Sequence, residues 1–181
     1  DQCSKLDFLT LDYLAEVSLS IMAIQKEKNP DLGYAVDFLS VVETLTSYWK
    51  NGSTVRVISN AGGLNPLACA QACLKICKEA NLHQLKVALV YGDDVLSQLK
   101  KNSNSQYYNN LDDNTPLNQI KESIVSANAY FGADGITKAL EEGADIIITG
   151  RVADPSMVVG ACIYSFQWSS LDFNAIAGAT V

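Results

Sequence analysis

The amino-acid sequence predicts an α/β domain in which a mostly parallel sheet is flanked by helices, a Rossmann-like layered sandwich. Strand-like and helix-like segments alternate along most of the chain, as they do in folds built from β-α-β units. Residues 144–155 read ADIIITGRVADP, so a β-branched run without polar alternation is followed directly by a glycine. Such a run is typical of a strand that helices bury on both faces.

Helices are predicted where apolar residues recur at helical spacing between a cap and a breaker. Thr10 is the expected N-cap of the first helix, and Asn29-Pro30 ends it. The predicted helices cover residues 11–28, 36–50, 66–80, 133–142 and 155–166, with a short one ending near 100 and another beginning near 172. The predicted strands cover residues 54–59, 85–91, 124–130 and 146–149.

The charge balance argues against one class of partner. The chain has 13 basic and 20 acidic residues, a formal net charge of −7, whereas nucleic-acid binding through phosphates needs a basic face. No stretch approaches the roughly 18 consecutive apolar residues of a membrane helix. We therefore expect neither a nucleic-acid nor a membrane partner.

Five cysteines, an odd number, occur in this acidic chain, which favours reduced thiols and a cytoplasmic location. Cys69, Cys73 and Cys77 recur every four residues and therefore share one face of a predicted helix. This spacing differs from the C-x-x-C of zinc sites. Packing as small apolar residues is the favoured interpretation, and a redox or metal role is the alternative.

The length predicts one α/β domain over residues 1–181. Because the sequence starts without Met and ends on the apolar AGATV, we expect it to be a piece of a longer protein. Residues 101–116 are polar and rich in turn formers, and we interpret them either as a lid or as an insertion.

Polar residues collect in four loops that follow predicted strands. In a parallel sheet these loops meet at the carboxyl edge, where ligands bind in open α/β folds. Asp93 and Asp154 are the candidate catalytic carboxylates, because carboxylates can act as general acids or bases. The candidate ligand-binding residues are Asn60, Gly62, Gly63, Asn65, Asn128, Tyr130 and Arg151, and Asp94 and Asp134 are further polar members of these loops.

Each candidate also has a purely structural interpretation. Asn65 and Asp154 each precede a proline, as helix N-caps often do, and the Asp93-Asp94 pair fits the same role. Asn128 lies near a strand end, where a partly buried amide usually bonds to the backbone. The Gly62-Gly63 pair would only supply turn geometry.

Several familiar signatures are absent from the sequence. It contains no G-x-G-x-x-G motif, no P-loop and no G-x-S-x-G elbow, so neither a dinucleotide nor a nucleoside triphosphate is indicated and the cofactor is left open. His83, the single histidine, is interpreted as a solvated turn residue, which disfavours a Ser-His-Asp triad. A hard-metal site made from Asp93, Asp94, Asp134 or Asp154 is an alternative, but these carboxylates lack the spacing of a known metal site, and no metal is predicted.

Arg151 is one of only two arginines in the chain. Its planar guanidinium can hold a carboxylate or phosphate through two hydrogen bonds, which lysine cannot reproduce. It is interpreted either as an anchor for an anionic ligand or as a lock that pairs with Asp154 or Asp134. Loss of ligand affinity on replacement by lysine would indicate the anchor, and loss of thermal stability would indicate the lock.

Five stretches in a fixed order resemble one protein family, the acyclic terpene utilisation (AtuA-like) family. They are LDYLAEVSLSIMA (11–23), NAGGLNPLACA (60–70), ANAYFGA (127–133), GADIIITGRVADPS (143–156) and the closing AGATV. Proteins of that family carry a Gly-rich strand-loop segment ahead of the first helix. The resemblance therefore predicts a domain without its first strand, which would expose a sheet edge and form an oligomer or associate with the missing remainder.

The family is associated with bacterial breakdown of acyclic terpenoids such as citronellol and geraniol through CoA thioesters. The resemblance therefore implies a small anionic ligand such as an acyl-CoA. One hypothesis is an enzyme, or an enzyme's domain, that acts on a branched or terpenoid acyl-CoA, with Asp93 as acid or base. The other is a non-catalytic subunit that binds an acyl-CoA or a carboxylase partner, which the absence of histidine from the expected site favours.

Overall fold

A computed structural model describes residues 5–181 and contains a four-stranded sheet in which every strand pair is parallel. The strand order across the sheet is β1-β2-β4-β3. The strands are β1 (Phe8–Leu11), β2 (Arg56–Ser59), β3 (Val87–Val90) and β4 (Ile146–Thr149). The predicted α/β class with a parallel sheet is confirmed.

Seven α-helices occur within residues 5–181, and they surround the sheet. None of these described helices is both long enough and apolar enough to cross a membrane. The helices are α1 (Glu16–Lys28), α2 (Phe38–Lys50), α3 (Pro66–Glu79), α4 (Leu96–Lys101), α5 (Asp134–Glu141), α6 (Ser156–Phe166) and α7 (Phe173–Thr180).

Strand β4 lies inside the sheet and is covered on both faces, as its β-branched sequence predicts. Ile146 and Ile148 pack with residues of α1, α2 and α3 in one apolar cluster, whereas Ile147 packs with α5 and α6 in a second cluster. None of the three side chains has any exposed surface. The alternation of the two clusters along β4 shows that helices form a layer on each side of the sheet.

The cysteines of α3 lie on the buried face of the helix, as their spacing predicts. Cys69 and Cys73 have no exposed surface and Cys77 has almost none, and all three are free thiols. Burial raises the pKa of Cys77 to about 11, so this thiol stays protonated at neutral pH and lacks the thiolate that reacts or binds metal. Packing is therefore the role that the structure shows for this face. Cys3 lies outside the described residues.

The sequence places no strand ahead of the first helix, yet β1 lies there. Phe8–Leu11 pairs in parallel with Arg56–Ser59 of β2, so Thr10 is a strand residue and α1 begins only at Glu16. The predicted helix start at residue 11, with Thr10 as its N-cap, is wrong. A four-residue strand is stabilised by its neighbour in the sheet, and local periodicity carries no information about that neighbour.

The predicted strand over residues 124–130 is not formed either. Within this segment the sheet-like pairing is limited to an isolated antiparallel bridge between Asn128 and Asp94. Since β3 and β4 pair directly with each other, no place in the ladder is left between them. The segment instead lies against the loop after β3, where Ala129 N donates to Asp93 O at 2.8 Å.

Residues 101–116 include a single-turn 3₁₀ helix, Gln106–Tyr108. Most of the side chains in this stretch are exposed. Its role as a lid or as an insertion stays a prediction.

The connections after β2 and β4 leave the sheet towards opposite faces. The chain passes from β2 into α3, which packs in the first apolar cluster, and from β4 into α6, which packs in the second. Adjacent strands whose connections diverge in this way open a crevice at the carboxyl edge of a parallel sheet. The loops that carry the sequence-predicted site residues lie at this edge of the sheet.

Gly62, in the loop after β2, packs directly on the end of β4. A Cβ atom at this position would lie 2.4 Å from the carbonyl oxygen of Thr149 and 2.6 Å from Cβ of Pro66. Both neighbours belong to ordered elements, so a side chain at residue 62 has no room without moving the loop away from the sheet. The close approach explains why glycine occupies this position.

Gly62→Ala is expected to lower the free energy of unfolding by about 1–3 kcal/mol, the usual range for overpacking a buried site. The matched control is Gly132→Ala, because a Cβ there meets no atom within 4 Å. Urea unfolding followed by circular dichroism measures both variants. Equal stability of the two variants would show that the loop after β2 accommodates a methyl group.

Candidate functional site

Asn60 joins the loop after β2 to the loop after β1. Its side chain is fully buried. Oδ1 accepts a hydrogen bond from the backbone N–H of Tyr13 at 2.7 Å, and Nδ2 donates to the carboxylate of Asp12 at 2.7 Å. Both halves of the amide are therefore used within the protein, and a buried amide in this position fixes the two strand ends relative to each other.

Asp93 joins the end of β3 to the end of β4. Its side chain is 4% exposed, and Oδ2 accepts from the backbone N–H of Arg151 at 2.7 Å and from Nδ2 of Asn128 at 2.8 Å. The carboxylate rests on Gly150, where a Cβ would lie 2.3 Å from Oδ1. No hydrogen bond from the residues that the structure describes reaches Oδ1.

Arg151 is held on three sides and is 3% exposed. One terminal nitrogen, Nη2, lies 2.9 Å from the carboxylate of Asp154, and the other donates to the carbonyl oxygen of Leu14 at 3.3 Å. The guanidinium carbon stands 4.0 Å from the centre of the Tyr130 ring, a cation–π distance. The predicted partner Asp154 is confirmed, whereas Asp134 is an exposed residue in the first turn of α5 and forms no ion pair with Arg151.

The neighbours of Arg151 change its pKa. Burial opposes the charged form, but Tyr130 and the carboxylate of Asp154 favour it more strongly, and the pKa of Arg151 is raised from its ordinary value. Its Nε is buried and has no hydrogen-bond partner within residues 5–181. The guanidinium is thus charged and mostly, but not completely, satisfied by the protein.

Asp154 does not act as the N-cap of the following helix, contrary to the sequence prediction. Pro155 occupies the cap position of α6 and provides no side-chain hydrogen bond. The carboxylate of Asp154 is directed to Arg151 instead. An ion pair with a buried guanidinium competes successfully with a capping bond that is worth about 1 kcal/mol.

Asn65 is the N-cap of α3, as predicted. Oδ1 accepts from the backbone N–H of Ala68 at 3.4 Å, while Nδ2 donates to the carbonyl oxygens of Pro30 and Leu32 at 2.9 Å. The same side chain therefore starts one helix and fastens the loop between α1 and α2. Asp94 has a comparable local role, since its carboxylate accepts from Leu96 N at 3.0 Å at the start of α4.

Gly63 has a φ of +50°, in the left-handed region that favours glycine. A Cβ there would lie 2.3 Å from Sδ of Met22 on α1. The predicted turn role of this glycine is confirmed, and the turn brings the backbone close to α1.

A cleft of about 550 Å³ opens at the carboxyl edge between the loop after β2 and the loop after β3. A second hollow of about 420 Å³ adjoins it and shares Lys26, Leu64, Asp94 and Asn128. The apolar part of the cleft is formed by Leu64, Leu67, Leu89 and Tyr91, and its polar part includes Lys26, Asn65, Asp93, Asp94 and Asn128.

The predicted site residues fall into two groups. Gly63, Asn65, Asp93 and Asn128 line the cleft. The others lie outside its lining and bind one another or the backbone, as described above: Asn60, Gly62, Tyr130, Arg151 and Asp154. Among the residues that the structure describes, no three His, Cys, Asp or Glu side chains are grouped as a metal site would require.

Sequence reasoning missed the contribution of the chain before residue 30. Lys26 lines the cleft and its Nζ donates to Leu64 O at 2.6 Å, while Glu16 accepts from the Tyr130 hydroxyl at 3.4 Å. Asp12 and Leu14 follow β1, which was not predicted. The sequence Phe8-Leu9-Thr10-Leu11 followed by Asp12 is a strand-then-polar-loop pattern that would have indicated a further loop at this edge.

Comparison with family models supplies one match. The model described as acyclic terpene utilisation family protein AtuA matches residues 2–181. The chain belongs to this family. Comparisons of this AtuA-family chain with curated proteins and with solved structures find no match.

Asp93 should contribute to the stability of this AtuA-family chain through the buried N–H of Arg151. Asp93→Ala leaves that donor without an acceptor and is expected to lower the free energy of unfolding by about 1–3 kcal/mol. Asp93→Asn retains one oxygen that can accept both hydrogen bonds and should lose less. Urea unfolding of the two variants measures the difference, and equal losses would contradict the assigned hydrogen bonds.

Arg151→Lys is expected to lower the free energy of unfolding by about 1–3 kcal/mol, because lysine cannot contact Asp154 and the Leu14 carbonyl together from a position stacked on Tyr130. The matched control is Arg56→Lys, since Arg56 is only half-buried and stands 5.0 Å from the Tyr164 ring. The midpoints of thermal unfolding of the two variants are compared. An unchanged midpoint for Arg151→Lys would argue against the lock.

Proposed function

We propose that the chain binds a branched or terpenoid acyl-CoA in the cleft at the carboxyl edge and, as an enzyme or an enzyme's domain, acts on it there during terpenoid catabolism. This proposal rests on the separation of apolar and polar side chains within the cleft. Its apolar side chains suit a branched hydrocarbon chain, and its polar side chains stand beside them where a thioester group would lie. Membership of the acyclic terpene utilisation family supports the choice of ligand.

The anionic part of such a ligand would be recognised by lysines of the cleft. Lys26 lines both hollows, and Lys100 lies in the second hollow. Arg151, the anion anchor considered from the sequence, is outside the lining and already paired with Asp154. Lysine binds phosphate as a point charge and requires less precise geometry than a guanidinium. The second hollow is also lined by Glu27, Asp94 and Glu122, so Lys26 and Lys100 would hold a phosphate within a lining of mixed charge.

Asp93 is the side chain in the cleft best placed to act as acid or base. Its Oδ2 is fixed by two hydrogen bonds, and Oδ1 is left as an acceptor. A carboxylate held in this way can accept a proton from a bound acyl group. Asp154, the second predicted catalytic carboxylate, does not line the cleft, and its catalytic role stays a prediction.

The alternative function is a non-catalytic subunit that binds an acyl-CoA or a carboxylase partner. One observation favours it: the residues that line the cleft include neither histidine nor cysteine. His83 is exposed and lies before β3, at the end of that strand away from the cleft. For either function we propose a cytoplasmic location, which the free thiols Cys69, Cys73, Cys77 and Cys162 support.

Calorimetric titration with geranyl-CoA, acetyl-CoA and free CoA tests the binding site. Geranyl-CoA should bind at least about tenfold more tightly than acetyl-CoA, because burial of each CH₂ contributes roughly 0.8 kcal/mol. Lys26→Gln should weaken binding of all three ligands, whereas Lys28→Gln, an exposed residue at the end of the same helix, should not. Equal affinities for geranyl-CoA and acetyl-CoA would contradict the role of the apolar wall.

Incubation of the wild-type protein with geranyl- and citronellyl-type CoA esters, followed by chromatography of the products, separates the two functions. Turnover that Asp93→Asn abolishes while geranyl-CoA affinity is retained would establish the enzyme. Binding without turnover by the wild-type protein would support the subunit. Retained affinity for geranyl-CoA would also show that the Asp93→Asn variant is folded.

A further inference from the structure

Residues 96–126, the flap, form one excursion of the chain between β3 and α5. Neither apolar cluster contains a residue of the flap, and Ser103 is its only buried residue. Large apolar side chains of the flap are exposed instead, Tyr107 at 95% and Leu111 at 100%. Burial of its own side chains therefore does not hold the flap against the rest of the domain.

Hydrogen bonds and ion pairs do not attach the flap to the rest of the domain either. Within residues 5–181, the hydrogen bonds that leave the flap end on the two residues directly before it. Leu96 N donates to Asp94 Oδ1 at 3.0 Å, and Leu99 N donates to Val95 O at 2.8 Å. No ion pair of the described residues includes a flap residue.

A short two-stranded neck, residues 93–95 and 127–129, joins the flap to the domain. Val95 N donates to Ala127 O at 2.9 Å, and Ala129 N donates to Asp93 O at 2.8 Å. The two ends of the flap therefore leave the domain side by side, and the flap has a single point of attachment.

The neck itself is fixed to the sheet. The carboxylate of Asp93 accepts from Arg151 N at 2.7 Å, and Phe131, just beyond the neck, forms a parallel bridge with Val152. Any motion of the flap therefore has its hinges where the chain leaves the neck, at residues 95–96 and 126–127. Asp93 stays in place when the flap moves.

The second hollow, of about 420 Å³, is the gap between the flap and the domain. Leu96, Ile124 and Val125 form the apolar part of the flap wall. The facing wall contains Ala23 of α1 and Leu64 of the loop after β2. A movement of the flap towards α1 therefore brings apolar side chains against apolar side chains.

The charges around the hollow are of both signs on each wall. Lys100 and Glu122 lie on the flap, Lys26 and Glu27 lie on α1, and Asp94 lies on the neck between them. None of these five side chains belongs to an ion pair of the described residues. The walls are thus not linked by charge, and neither wall presents like charges alone to the other.

We propose that the flap swings on the neck and closes the second hollow over a bound ligand. Opening costs little, because it breaks no apolar cluster, hydrogen bond or ion pair of the described chain. Closure buries the apolar side chains of both walls around the ligand and excludes water from it. The mobility follows from the attachments of the flap alone, whereas closure on an acyl-CoA rests on the function proposed above.

Hydrogen exchange of the wild-type chain without ligand tests the mobility. The amides of residues 99–102, at the end of α4, should exchange at least about 100-fold faster than those of the comparably short α5. The reason is that α5 buries Ile136, Ala139 and Leu140, whereas α4 buries no side chain. Equal protection of the two helices would overturn the proposal, whatever the ligand does.

Trypsin digestion with and without geranyl-CoA, combined with calorimetry of the same sample, tests closure. At ten times the dissociation constant, cleavage after Lys101 and Lys121 of the flap should slow by about tenfold, because the ligand reduces the open fraction by that factor. Cleavage after Lys50, at the exposed end of α2, should not change.

The two measurements separate this proposal from the proposed function. Binding by calorimetry without slower cleavage of the flap would overturn closure. Absence of any binding would overturn the acyl-CoA function and closure on that ligand, while the exchange of the free protein still decides whether the flap moves.

Val125→Ser tests which surface of the flap meets the domain. Val125 lines the hollow and is 64% exposed, so the substitution leaves the open state intact and removes an apolar contact that closure makes. The affinity for geranyl-CoA should fall by about threefold or more. The matched control is Leu111→Ser, at an exposed flap residue that does not line the hollow, and it should change nothing. Equal affinities of the two variants would overturn the proposal.

Discussion

Burial of a carboxylate at the end of β3 is the constraint on which the carboxyl edge of this protein depends. A charged group out of water is tolerated only when hydrogen bonds replace its solvent. Asp93 obtains them from the backbone of Arg151 and from the side chain of Asn128. The loop after β4 and the segment after residue 124 are therefore held against β3. This contact fixes the backbone of Arg151. The Arg151 side chain donates a hydrogen bond to the carbonyl oxygen of Leu14, which follows β1 in the sequence.

The features predicted correctly from the sequence depend on neighbours a few residues away. The buried strand β4 follows from the β-branched run 146–149, the cap of α3 from Asn65-Pro66, and the internal face of α3 from cysteines spaced every four residues. The errors concern partners far along the chain. Strand β1 is stabilised by residues 48 positions later, and Asp93 meets Arg151 across 58 positions. A pattern of neighbouring residues carries no information about contacts between residues so far apart in the sequence.

The polar loop residues of this AtuA-family chain differ in how completely the protein satisfies their hydrogen-bonding groups. Asn60 and Asp154 are bound within the protein, and Arg151 is bound at both terminal nitrogens but, among the described residues, not at Nε. Asp93 differs, because Oδ2 accepts two hydrogen bonds whereas Oδ1 lies against Gly150 and accepts none from the described residues. The sequence left two roles open for Arg151, an anchor for an anionic ligand and a lock on the loop. The structure shows that Asp154 is the ionic partner of Arg151.

The strand order has a consequence for how the chain folds. Strand β4 lies between β2 and β3 although it comes last of the four described strands, so β2 and β3 have no common neighbour until residues 146–149 are in place. A nascent chain that has emerged from the ribosome only as far as α5 can pair β1 with β2, but β3 has no strand beside it. We infer that sheet assembly is late and dominated by contacts distant in sequence, conditions under which folding is slow and exposed edges invite aggregation.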